Sequence, residues 1–153
     1  EARRAEPLGV RVARVRTPPV LHPGGGMLKA MLPSFRLGLG AVMGNGKQWM
    51  SWVHLEDWIN LVLWLVDKPG LSGPFNATAP EPVRNREFSK TLGRAVNRPV
   101  FLSAPAFVLR LVLGELAEEP LRSQRVLPAR AQEAGFQFRY PALPGALENL
   151  LGR

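Results

Sequence analysis

Glycine and proline decide what this chain can become. It has 15 of each in 153 residues. Proline fixes φ and has no N–H to donate, while glycine accepts turns that other residues resist. The segments left between them are short. Each must be read for a period of two or of 3.6.

Residues 1–8 read as the tail of a helix stopped at Gly9. Residues 10–17, VRVARVRT, alternate apolar side chains with arginine and predict a strand, ended by Pro18-Pro19. Residues 20–26 read as a loop and residues 27–32 as a short helix closed by Pro33. Asn45-Gly46 is a hairpin-turn signal, and residues 49–53 follow it as a strand. Apolar side chains at 55, 58, 59, 62, 63 and 66 predict a helix over 55–67 with one broad buried face. Residues 74–78 predict another strand. Asn85 reads as the N-cap of a helix over 86–96 whose Phe88, Leu92 and Ala95 face inward. Residues 100–102 follow as a strand. Helices are predicted from Pro105 through 116, from Pro128 to Gly135, and from Pro141 to near Leu151, with residues 136–140 a strand between the last two. Strands alternating with helices indicate an α/β protein.

Composition narrows the chemistry. A hydrophobic share of 46% is ordinary for a globular protein and too high for a disordered one. The absence of cysteine excludes disulfides, thiolate metal sites and cysteine nucleophiles. The longest mainly apolar stretch, residues 58–66, falls far short of the ~18–20 residues a membrane span needs. The N-terminal EARRAEPLGVR lacks the apolar core of a secretory signal. A soluble, cytoplasmic protein with no membrane partner is expected. Net charge is +8, and residues 1–50 carry most of the excess, with eight Lys/Arg against two Glu. Such a surface attracts nucleic acid or phosphorylated molecules, or is simply solvated. No helix-turn-helix, zinc-finger or RNP signature supports nucleic acid.

His22 and His54 have no neighbours at metal-ligand spacing, so no metal site is expected. Glu56-Asp57 and Glu118-Glu119 are adjacent pairs that point apart on a helix and make no acid/base dyad. Glu56 and Asp57 begin a helix, where negative charge suits the macrodipole. There is no G-x-S-x-G elbow, and Gly24-Gly25-Gly26 is neither a dinucleotide fingerprint nor a P-loop. No catalytic residue is assigned.

Taken in order, several segments form a pattern: Arg16-Thr17, Val20-Leu21, Pro23-Gly24-Gly25-Gly26, Gly44-x-Gly46-x-Gln48-Trp49 and Trp52-Val53-His54-x-x-Asp57. It continues through Asn76, Pro80-Glu81-Pro82, Asn85-Arg86-Glu87-Phe88, Leu116-Ala117-Glu118, Gln124-Arg125-Val126-Leu127-Pro128, Ala134-Gly135-Phe136 and Arg139-Tyr140-Pro141. The set resembles the C-terminal half of extended short-chain dehydrogenases/reductases. It is nearest their NAD(P)-dependent epimerase-like family, often misnamed as cell-division inhibitors. The last portion is similar to that family's small C-terminal domain of unassigned function. The resemblance implies the C-terminal part of a Rossmann-like doubly wound parallel sheet, with the substrate loop, over residues 1–80. A small α+β substrate lobe would occupy residues 81–153.

Complete family members are roughly twice this length, and their first half carries the Gly-rich turn that seats a pyrophosphate on a helix N-terminus. That half also carries a Tyr-x-x-x-Lys proton-transfer pair. Here the single tyrosine, Tyr140, is followed by Pro-Ala-Leu-Pro, and no lysine lies beyond Lys90. The resemblance therefore implies NAD or NADP in the complete protein, and neither cofactor nor activity in this chain alone. It places Thr17, Pro18, Pro19 and Val20 beside the cofactor, and Gln48, Trp49, Trp52 and Asn76 against a small, nucleotide-linked substrate. Burial competes with that role for the tryptophans, and holding the Pro80 loop competes with it for Asn76. His54 reads as structural. Pro18-Pro19 stands where the family has Gly and an aliphatic residue, and removes two backbone donors. The rival reading is a non-catalytic interaction module that self-associates or pairs with a separate N-terminal half, and a basic nucleic-acid-binding domain ranks third.

Overall fold

The computed structural model describes residues 2–105, 107 and 123–152. A 3-10 helix, Ala2–Leu8, leads into β1 (Ala13–Arg16) and β2 (Val20–Leu21). There follow α1 (Gly26–Arg36), β3 (Ala41–Met43), β4 (Trp49–Met50), β5 (Val53–His54) and α2 (Leu55–Asp67). Then come β6 (Gly73–Asn76), β7 (Val83–Arg84), α3 (Asn85–Ala95), β8 (Leu102–Ala104), α4 (Ala129–Glu133) and α5 (Leu143–Leu150). The helix expected over 105–116 lies outside the described residues.

Strand pairing gives the α/β character. β1 pairs in parallel with β6, with Arg16 opposite Asn76, so both strands end at the same edge. β2 pairs in parallel with β5, β3 in parallel with β8, and β4 antiparallel with β7. Two cores follow. One joins Leu61 and Leu65 of α2 to Phe75, Ala77, Ala131 and Phe136. The other joins Leu28, Leu32 and Phe35 of α1 to Phe88 and Leu92 of α3 and to Leu143, Ala146 and Leu147 of α5, around Trp52. Residues from both sides of position 80 enter each core.

The helix predicted over 55–67 is realised at those bounds, but its buried face is Asp57, Leu61 and Leu65, because Phe75 and Ala131 lie on that side, and Ile59, Leu63 and Val66 of the expected face are exposed. Arg11 caps its far end. The Arg11 guanidinium donates to the carbonyls of Leu65 (3.0 Å), Val66 (3.3 Å) and Leu71 (2.9 Å). Those of Leu65 and Val66 are C=O groups that a helix terminus otherwise leaves to water, and Leu71 ties in the loop that follows.

Local expectations fail where distant partners outbid them. Residues 20–21 form a strand rather than a loop, because Val53 and His54 supply its ladder. α1 runs through Pro33 to Arg36, since a proline so near the end forfeits one bond while Leu32 and Phe35 still bury. Residues 49–53 divide into two short strands with different partners, and the strand expected at 100–102 forms at Leu102–Ala104. Asn45-Gly46 turns the chain, with Gly46 N–H donating to the Met43 carbonyl at 3.0 Å. It joins no hairpin, because β3 and β4 pair elsewhere. Gly46 has φ +71°, and a Cβ there would meet Val42 Cγ1 at 2.6 Å, so glycine is required. Asn85 is fully buried in α3 instead of capping it: its Oδ1 accepts from Met43 N–H at 2.8 Å. Residues 136–140 alternate as expected but form no ladder. Phe136 is buried, with Phe138 edge-on at 4.9 Å, and the next two N–H groups go to a carboxylate.

Candidate functional site

In α/β sheets, ligands gather beyond the carboxyl ends of the parallel strands. Here that edge is made by Arg16-Thr17 leaving β1 and by Asn76-Ala77-Thr78 leaving β6, joined by Ala77 N–H donating to the Arg16 carbonyl at 3.0 Å. Thr17 is exposed, and its Oγ1 accepts from Trp58 Nε1 at 3.1 Å. Pro18 and Pro19 follow without N–H groups, and the Pro19 carbonyl accepts from Val53 N–H at 3.2 Å. Val20 lies in the β2 ladder. Thr78 has a buried hydroxyl with no hydrogen-bond partner among the described residues.

Three residues, Trp49, Ser51 and the edge residue Asn76, are tied together by residues 123–127. Trp49 N–H donates to Ser123 Oγ (3.1 Å), and Gln124 N–H donates to the Trp49 carbonyl (3.3 Å). Ser51 Oγ donates to the Gln124 carbonyl and accepts from Val126 N–H, both at 2.9 Å. Asn76 Nδ2 then donates to the Leu127 carbonyl at 3.0 Å. Thus Trp49 and Asn76, 27 positions apart in sequence, lie along one strap, and Asn76 holds that strap rather than the Pro80 loop.

The other expected contacts sit differently. Gln48 is almost fully buried; its Nε2 donates to the Met43 carbonyl at 3.0 Å, and its own carbonyl accepts from Asn85 N–H at 2.9 Å. Trp52 has no exposed surface. Its indole N–H donates to the Glu81 carbonyl at 3.1 Å, and its carbonyl accepts from Ala79 N–H at 2.7 Å. It therefore holds the loop beyond Thr78 from beneath. Trp49 is half-buried, with the Arg84 guanidinium 3.8 Å and the Arg125 guanidinium 5.1 Å from its ring centroid.

Beside β5, the start of α2 is a closed polar cluster. His54 Nδ1 accepts from Glu56 N–H at 3.1 Å, so Nε2 carries the proton toward Asn149 Oδ1, also at 3.1 Å. The imidazole stacks on Tyr140 with centroids 3.9 Å apart. Burial holds its pKa below the ordinary 6.5, against the Asn149 hydrogen bond and the Glu56 and Asp57 charges. Asp57, 1% exposed, accepts from the backbone N–H groups of Arg139 (2.8 Å) and Tyr140 (2.9 Å). Sequence reasoning placed both acids at the helix start but missed this anchor, because its partners lie 82 and 83 residues away. It also missed Ser51, Arg84 and Arg125, which carry no local signal.

No group of three or more His, Cys, Asp or Glu able to hold a metal occurs among the described residues. For a dinucleotide, the Thr17 hydroxyl and the Pro19 carbonyl are engaged within the chain, and Pro18 and Pro19 have no N–H to offer. Gly24 N–H, ahead of α1, is taken by His22 Nδ1 at 3.2 Å. These residues do not fit a complete dinucleotide cradle.

A family described as a domain of unknown function (DUF1731) matches residues 104–150. Epimerase family protein Mb2239 of Mycobacterium bovis is 47% identical over 146 residues, 95% of this chain and 48% of that protein. Human epimerase family protein SDR39U1, crystallised with NADPH, is 35% identical with a TM-score of 0.89, over 94% of this chain and 49% of that one. The nucleoside-diphosphate sugar epimerase from Corynebacterium glutamicum is 31% identical with a TM-score of 0.75, over 97% of this chain and 28% of that one. The chain spans about half the length of the curated relatives it matches.

Proposed function

We propose that the chain, which is similar to epimerase family proteins over about half their length, is the C-terminal part of an extended short-chain dehydrogenase/reductase and forms the substrate-side wall of an NAD(P)-dependent oxidoreductase or epimerase. The observation that carries this reading is the convergence of the 17–20 loop and Asn76 at one carboxyl edge, through the Arg16–Asn76 register. In the complete protein the dinucleotide cradle and the proton-transfer pair belong to the preceding half, because Pro18 and Pro19 have no N–H for a pyrophosphate and no Tyr-x-x-x-Lys occurs in this sequence. NAD(P), when bound, supplies the hydride acceptor or donor. This chain's part is to close the cleft: Pro18 and Pro19 stiffen its rim, Trp52 fixes the loop after Thr78, and Asn76 and Ser51 hold the 123–127 strap across its mouth. Trp49 and Gln48 are the residues proposed to meet substrate, Gln48 through small local shifts, since it is buried. The substrate is a small molecule, nucleotide-linked as the name of the C. glutamicum enzyme suggests. No described helix is long and apolar enough to cross a membrane, and the cytoplasm is the proposed compartment.

Mixing the 153-residue chain with the first half of a relative, such as the M. bovis protein, tests this. NADPH or NADH binding and turnover should appear only in the mixture. Turnover by the chain alone would refute the reading.

A second reading, an association module, is favoured by the outward stripe of α2, where Ile59, Leu63 and Val66 are 41%, 56% and 64% exposed. Light scattering separates it from the first: a monomer alone and in the mixture would dismiss self-association.

A further inference from the structure

The C-terminal segment is fastened to the start of α2 at points that do not respond alike to a proton. Asp57 takes main-chain groups, the N–H of Arg139 at 2.8 Å and of Tyr140 at 2.9 Å. His54 takes side chains. Its ring stacks on Tyr140 with centroids 3.9 Å apart, and Nε2 donates to Asn149 Oδ1 in the last turn of α5 at 3.1 Å. One buried imidazole thus holds both ends of the stretch from 140 to 149. Between those ends Leu143, Ala146 and Leu147 bury the inner face of α5.

This place suits a neutral ring. Nδ1 accepts from Glu56 N–H at 3.1 Å and so satisfies a donor that the helix start would otherwise leave open. A proton on Nδ1 would set a donor against a donor, and a positive charge against the positive end of the α2 macrodipole. The charges that face the ring are Glu56 and Asp57 of α2, which favour its protonation, and Arg139, which opposes it while paired with Glu56 at 3.1 Å. Tyr140 offers its ring face. From α5 comes the uncharged Asn149, whose neighbour Glu148 is exposed, and from β2 the apolar Leu21. Burial outweighs the two carboxylates, so the ring takes a proton more readily outside its place than in it.

We propose that His54 is a proton-sensitive latch: charging the imidazole drives it out of its place, and residues 141–150 then open from a hinge at 139–140 while the rest of the fold stands. The hinge holds because the bonds of Asp57 to 139 and 140 do not pass through His54. The inference concerns a fastening inside this chain and stands apart from the hydride-transfer reading. If the freed ring titrates at its ordinary value of about 6.5, lowering the pH from 7.5 to 5.5 raises the open fraction by up to about tenfold.

The experiment is amide hydrogen exchange of the 153-residue chain at pH 7.5 and 5.5, each rate divided by its intrinsic value. It is read along α5 and at Leu61 and Leu65, which belong to the other core. The α5 amides should lose about tenfold in protection, through an opening that low urea hardly changes, since little surface is exposed. His54→Gln should give α5 the same protection at both pH values. Asn149→Ala alters an exposed side chain and should loosen α5 already at pH 7.5 without moving Leu61 or Leu65, so the idea is tested even if the His54 variant does not fold. Exchange of α5 that follows Leu61 and Leu65 at every pH and urea concentration overturns the proposal, because the segment then opens only in global unfolding. A tenfold pH response that survives in His54→Gln also overturns it, since another group then takes the proton.

Discussion

The start of α2 and the turn at 45–49 are both polar, yet they are finished to different degrees. Around His54 and Asp57 the imidazole nitrogens and both carboxylate oxygens have partners within the chain. Around Trp49 two exposed guanidiniums, of Arg84 and Arg125, lie against one ring. A cluster whose hydrogen bonds are all internal can only hold the fold, and changing it should cost stability. A cluster of exposed charges held by few bonds adds little, and changing it should leave the fold untouched. The predictions below are ordered to break that contrast.

The largest effect is expected at Asp57. Asp57→Ala removes the buried acceptor of two partly buried backbone N–H groups, each hydrogen bond worth about 1.5–3 kcal/mol when the acceptor is charged. Urea unfolding should show a loss of about 3–5 kcal/mol. Asp57→Asn keeps one good acceptor and should lose roughly half as much. A loss within error for Asp57→Ala would mean the cluster is not the fastening described.

Asn85→Ala comes next. It orphans the Met43 N–H, which has Asn85 Oδ1 as its partner at 2.8 Å. A loss of about 2 kcal/mol is expected, measured by the same unfolding.

A pH scan sharpens the contrast further. The folded-state pKa of His54 lies below its ordinary value because burial disfavours the charged ring. The unfolded chain therefore binds the proton more readily. Stability is fully present above about pH 6.5 and declines as pH falls from there toward the folded pKa. Tm should drop between pH 7.5 and 5.5, and His54→Gln should flatten that part of the profile. An unchanged slope in the variant would show that other groups set it.

How much of this was legible in the sequence depends on where each partner lies. The bounds of α2 were readable to the residue because its stop signals are local, but its buried face was not: Leu61 and Leu65 pack inward, whereas Ile59, Leu63 and Val66 of the expected face are exposed. β1 and β6 were readable as strands, though only their pairing shows that Thr17 and Asn76 share an edge. Asn85 looked like a cap because caps are local, but Met43, 42 residues away, uses its side chain. The two tryptophans were indistinguishable by type. Trp52 has no exposed surface, whereas Trp49 is half-buried among arginines. Charge misled most: the excess lies in the first third of the chain, whereas the guanidiniums against Trp49 stand at positions 84 and 125.

The smallest effect on stability is expected at the turn that carries Trp49, and it is the most exposed to refutation. Arg84→Ala and Arg125→Ala remove exposed side chains whose described contacts are one ring and, for Arg84, one carbonyl. Surface changes of this kind usually stay within about 0.5 kcal/mol, so Tm in dilute buffer should hardly move. Relieving mutual repulsion could even raise it slightly at low salt, since exposed like charges act most strongly when unscreened. If the double variant instead unfolds several degrees earlier, the arginines are fastenings like Asp57, and the contrast between the two clusters disappears.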